Sequence, residues 1–164
     1  MTQLRLSLIF LSILFVWAMK AQAASSRAAV AESGEIILVA RSSKFDVRVS
    51  IRTRPVEKRA ETLIEPGGYV ERSHVERIDI MVNGKQLWVG RSVYCDLFDL
   101  HNAEILMGPK TVVLAVEGGD ASESHWAKIE FDTKQVKRRN FGSGMTPGES
   151  AEVTTYHPSV MKDE

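Results

Sequence analysis

The sequence predicts an all-β, mostly antiparallel domain, either a Greek-key-like β-sandwich or a small barrel, with at most one short helix. Three observations carry this reading. Apolar residues recur with a period of two over residues 44–54, 75–82 and 125–131, the period of a strand with one buried and one wet face. Turn-forming clusters separate the runs at Asn83-Gly84, Gly108-Pro109, Gly118-Gly119-Asp120 and Asp132-Thr133-Lys134. Residues 112–116 are apolar at every position, as a strand covered on both sides would be.

Ahead of the domain, residues 1–23 read as a cleavable secretory signal. Arg5 supplies a positive start, residues 6–19 form 14 uncharged positions, and Lys20 ends the run. Ala21 and Ala23 place small residues where a signal peptidase reads, so cleavage is expected after Ala23. A spanning helix needs roughly 20 apolar residues, which this run does not supply, so no stable membrane span is expected after cleavage. No cysteine follows the cut, so lipid attachment is not indicated. The implied location is periplasmic or secreted, in a bacterium. Residues 24–34 are expected as a flexible leader, 35–158 as a single β-rich domain, and 159–164 as a tail.

Within the domain, residues 35–41 form a short apolar run. Residues 44–54 then set Phe45, Val47, Val49 and Ile51 against Asp46, Arg48, Ser50 and Arg52. Pro55 ends or edges that strand, residues 56–65 are open to a further strand, and Pro66-Gly67-Gly68 is a break. Residues 75–82 present Ile78, Ile80 and Val82 on one face, and Asn83-Gly84 is the two-residue turn that pairs them with 85–90. In residues 92–103 the alternation fails: Val93, Leu97 and Leu100 have helical spacing, and Ser92 can cap, so a short helix is expected. Further strands are expected at 104–107, 110–117, 125–131, 135–141 and 151–156.

Composition bounds the function classes. The 164 residues, 44% hydrophobic and 26% charged, suit one globular domain. Basic and acidic residues balance at 21 each; losing Arg5 and Lys20 with the signal leaves 19 against 21, a net of −2. A dedicated nucleic-acid binder usually carries a basic excess, so nucleic acid is not an expected partner. Cys95 is the single cysteine. It excludes an intrachain disulfide and is expected to be buried, as unpaired cysteines commonly are.

No motif identifies a reaction. His74, His101, His125 and His157 stand in no metal-ligand spacing, so no metal and no cofactor are expected. There is no nucleophile elbow; Ser143 sits only in a Gly-Ser-Gly loop. Asp96 beside Cys95 would oppose a reactive thiolate. The acidic loop 117–123 lacks the ligand alternation of calcium sites and reads as a solvated turn. Trp88 and Trp126 are expected in core or cross-strand packing.

The basic stretches are the unusual surface. Arg48, Arg52 and Arg54 share one strand face by the period of two, and Lys134, Lys137, Arg138 and Arg139 make a second cluster. If both strands join one sheet, Arg48, Arg52, Arg54, Lys137 and Arg139 form an anion-binding face. The competing reading is a solvated face neutralised by Glu71, Glu76, Asp79 and Glu130. The expected function is an exported, non-enzymatic β module that binds an envelope protein or an anionic envelope component. One alternative is a small enzyme whose site gathers His101, His125, Cys95 or Asp120 only in three dimensions. Another is a structural envelope protein that pairs through an open sheet edge. That alternative requires a long edge strand without guarding charges or prolines.

Overall fold

The computed structural model describes residues 26–56 and 72–157. The expected signal, most of 56–65, the break at 66–68 and the tail lie outside the described residues. Among those described, ten strands form: β1 Ser26–Ala29, β2 Gly34–Arg41, β3 Asp46–Pro55, β4 Ser73–Val82, β5 Lys85–Leu87, β6 Leu100–Met107, β7 Val112–Gly118, β8 His125–Phe131, β9 Val136–Ser143 and β10 Glu152–Thr155. They make two antiparallel sheets, one of six strands in the order β1-β6-β7-β8-β9-β10 and one of four in the order β2-β3-β4-β5. Neither sheet closes on itself. There is no α-helix among the described residues, only single 3-10 turns at Arg91–Val93 and Ala121–Glu123. No described helix is long and apolar enough to cross a membrane.

The period of two becomes burial directly. On β3, Val47, Val49 and Ile51 are fully buried while Asp46, Arg48, Arg52 and Arg54 face solvent. Their neighbours Ile78, Ile80 and Val82 on β4 and Leu38 and Ala40 on β2 point the same way. From the six-stranded sheet Ala103, Ile105, Leu114, Val116, Ala127, Ile129 and Phe131 complete one shared core. Each such large apolar side chain contributes about 2 kcal/mol by leaving water. The β4–β5 hairpin turns through Asn83 and Gly84 at φ of 52° and 76°, the doubly left-handed geometry that Asn-Gly tolerates best. The apolar run 112–116 is β7, central in its sheet. Its outward residues Val113 and Ala115 are half-buried rather than fully covered.

Four expectations need correction. The leader is not wholly flexible: Ser26–Ala29 pairs with β6, Ala28 opposite Ala103. The helix expected at 92–103 is a 3-10 turn followed by further turns, with β6 beginning at Leu100. Spacings of three and four bury Val93 and Leu97 there because each successive turn faces the core. Cys95 is exposed, on the outer side of those turns. Trp88 lies beyond the end of β5 and is 80% exposed.

Candidate functional site

The outer face of the four-stranded sheet is built by register. Three cross-strand rows run across it: Glu35–Arg52–Arg77, Ile37–Ser50–Asp79, and Val39–Arg48–Met81–Gln86. Arg54 continues the β3 line opposite His74. The adjacent guanidinium groups of Arg52 and Arg77 are separated electrically by carboxylates. Arg52 lies 3.6 Å from Glu35, and Arg77 lies 2.7 Å from Asp79. The Ser50 hydroxyl donates to Glu35 and, with Arg52, holds its carboxyl below the usual range. Arg48 and Arg54 make no ion pair among the described residues. Of the expected neutralising acids, Glu71 lies outside the described residues; Asp79 takes that role, through Arg77 rather than through a β3 arginine.

Apolar side chains interleave with these charges. Ile37 is 46% exposed, Val39 44% and Met81 38%. At the β5 side an open cleft of about 610 Å³ is lined by Arg52, Arg77, Gln86, Trp88 and Tyr94. The Trp88 indole lies against Gly90, where any Cβ would come within 2.8 Å of the ring. Gly90 thus gives an exposed indole a flat seat.

The second basic cluster is elsewhere. β9 belongs to the other sheet, so Lys137 and Arg139 do not join the β3 arginines in one face. Register shifts between Glu130 and Phe131, leaving Lys137 as the extra residue. Arg138 therefore faces out opposite Glu130, and Arg139 turns inward opposite Ile129. Lys137 pairs with Asp132 at 3.6 Å. The Arg139 side chain is 2% exposed; its Nη2 donates to both oxygens of Asp96 at 2.7 Å, and its Nη1 donates to Glu152 at 3.4 Å. Its guanidinium also stands 4.8 Å from the Phe141 ring centre. A doubly paired, buried arginine is a structural tie, not a ligand-facing group.

That tie belongs to a strap, residues 91–99, lying across one end of the six-stranded sheet. Asp96 grips Arg139 on β9, and the Phe98 ring packs 4.5 Å from His125 on β8. Asp99, at a φ of 43°, accepts from Gly119 N–H just past β7 through its carbonyl oxygen. Its carboxylate accepts from the backbone N–H groups of Arg72 and Ser73, at 2.9 and 2.6 Å, and from the Ser73 hydroxyl. The Val75 N–H donates to the Leu97 carbonyl and the Asp99 N–H to the Ser73 carbonyl, joining the strap to β4.

His125 sits beneath the strap. Its Nδ1 is 3.4 Å from the Glu123 carbonyl, and its Nε2 has no partner among the described residues. Burial depresses its pKa below the ordinary histidine value. The unfolded chain therefore binds a proton more readily than the folded one near pH 6.5, the ordinary value, and stability falls as pH drops through that range. Chemical denaturation from about pH 7.5 to about pH 5.5 is expected to show this loss, and His125→Phe is expected to flatten it.

His101 and His125 line one depression of about 350 Å³ on the six-stranded sheet, with Glu117, Ser124, Trp126 and Lys128. No hydrogen bond joins the two imidazoles. Cys95 and Asp120 are not part of it. No cluster of three or more metal-ligating side chains occurs among the described residues. The four candidates for a convergent enzyme site are thus not gathered within bonding reach. Sequence reasoning missed Ile37, Val39, Met81 and Gln86 as surface residues. Register gives them away, because they occupy the solvent-facing alternation beside Arg48. Comparison of the chain with protein-family models, curated proteins and solved structures gives no match.

Proposed function

We propose that the chain is an exported, non-enzymatic β-sandwich that binds a protein partner through the outer face of its four-stranded sheet. The observation that supports this reading is the composition of that face. Ile37 and Val39 on β2 and Met81 on β4 are exposed on either side of the β3 arginines Arg48 and Arg52, with the seated indole of Trp88 at the β5 side. Solvent-facing sheets of monomeric domains present mainly polar alternation. Protein interfaces instead concentrate Met, Trp and Arg around an apolar centre. Arg48 and Arg54, which have no ion-pair partner among the described residues, favour acidic side chains on the partner. The signal-like residues 1–23 support an envelope setting.

The test is recovery of envelope proteins on the tagged chain across a salt series, comparing wild type with Arg48→Glu/Arg52→Glu and with Trp88→Ala. Loss of a central Trp or Arg commonly weakens binding about 30-fold or more. A stoichiometric protein that both variants lose, and that salt releases by screening, is the expected result. A partner retained equally by both variants would overturn the assignment to this face.

A further inference from the structure

The four sheet edges are unequal. β1 and β10 are four residues long and β5 is three, each too short to template another chain. β2 is eight residues long, Gly34–Arg41, and among the described residues only β3 pairs with it. Its pairing to β3 is continuous, without a bulge. It holds no proline, and no charge stands between Glu35 and Arg41. Among the described residues, no proline, bulge or inner charge blunts this edge.

The direction of its free backbone groups follows from register. Ser42 N–H donates to the Phe45 carbonyl, so the pair 42–45 is hydrogen-bonded. Hydrogen-bonded and non-bonded pairs alternate along an antiparallel ladder. Gly34, Ile36, Leu38 and Ala40 therefore bond to β3, and the backbone groups of Glu35, Ile37, Val39 and Arg41 point to the open edge. Ile37 and Val39, on this row, are also the half-exposed apolar side chains of the strand.

We infer that β2 pairs antiparallel with β2 of a second copy of this chain, joining the two four-stranded sheets into one. The strand's own sequence fixes the register. Faces and bonding groups both match only when Glu35, Ile37, Val39 and Arg41 oppose one another across the junction. Centring the two-fold axis on Leu38 places Glu35 opposite the partner's Arg41 and Ile37 opposite the partner's Val39. Shifting by two residues either way removes at least one Glu–Arg match at each end. In the centred register the existing pairs Arg52–Glu35 and Arg41–Asp46 link across the junction into a row of alternating charge. An axis perpendicular to the sheet also sets the two outer faces on the same side. This inference rests on the open backbone edge and does not depend on the binding role proposed above.

The experiment is sedimentation equilibrium on the natively purified chain, held reduced so that Cys95 cannot crosslink it. Wild type is expected to dimerise below roughly 1 mM. Val39→Pro removes an N–H that β3 does not use, so it should fold, by circular dichroism, and sediment as a monomer. Glu35→Lys places Lys against Arg, and Arg41→Glu places Glu against Glu, at both ends of a homodimer. Each should associate about tenfold or more weakly than wild type. Mixed one to one, these two variants restore an opposite-charge pair at both ends, and the heterodimer should form with near wild-type affinity. A wild type that stays monomeric, or a dimer indifferent to Val39→Pro, would overturn the edge pairing. Failure of the mixed variants to associate would overturn the register.

Discussion

Asp96→Ala is expected to destabilise the protein by about 3 kcal/mol, more than Arg139→Met destabilises it. The asymmetry comes from burial. The Arg139 side chain is 2% exposed, whereas Asp96 and Glu152 are about half exposed. Removing Asp96 leaves a guanidinium inside the protein with one long contact to Glu152, and an uncompensated buried charge costs roughly 3–5 kcal/mol. Removing Arg139 lets both carboxylates turn to water, while methionine refills the space against Phe141 and Ile129. A buried ion pair replaced by apolar residues is often neutral. Equilibrium urea denaturation of both variants checks the order. Equal losses would mean that Asp96 contributes through local backbone structure and not through the charge it neutralises.

Asp99→Ala should cost a similar amount, about 3 kcal/mol, for a different reason. Its carboxylate accepts from the Arg72 and Ser73 N–H groups and from the Ser73 hydroxyl, and Ser73 is 1% exposed. Without an acceptor, each buried donor loses roughly 1–3 kcal/mol. Asp99 also holds a positive φ, which Asp and Asn tolerate better than alanine. Asp99→Asn keeps one acceptor oxygen and the backbone tolerance and is expected to recover about half of the loss. Thermal unfolding of the two variants separates these contributions. If Asn is no better than Ala, the negative charge matters and the hydrogen-bond geometry does not.

The fold was largely legible because most of its strands are half-buried, so burial repeats with the pleat. β3, β4 and β8 announce themselves this way, and Asn83-Gly84 announces the turn between β4 and β5. β1 was hidden because Ser26–Ala29 is only four residues long, too short for its alternation of half-buried Ser26 and Ala28 with exposed Arg27 and Ala29 to read as a period. The strap was misread because Val93, Leu97 and Leu100 meet the core at intervals that a helix shares with consecutive tight turns. Arg139 was placed on the surface by its basic neighbours. A one-residue bulge reverses which side it faces, and no local residue signals the bulge. On the candidate face, the arginines of β3 were read correctly as one line. Their apolar companions on β2 and β4 required knowledge of which strands lie beside β3, and pairing is a long-range property of the chain.

The strap between the sheets is fastened in series, at Asp96, at Phe98 and at Asp99. Three residues reach at most roughly 10 Å. When one fastening is lost, its neighbour tethers the freed segment close to its seat, at an effective concentration far above any in solution. Each single release therefore stays local, and only when both carboxylates are gone is the segment left to the Phe98 ring and its backbone bonds. The double variant Asp96→Ala/Asp99→Ala should then lose more than the two single losses combined, and amides on the adjoining ends of β7 and β8 should exchange with solvent together.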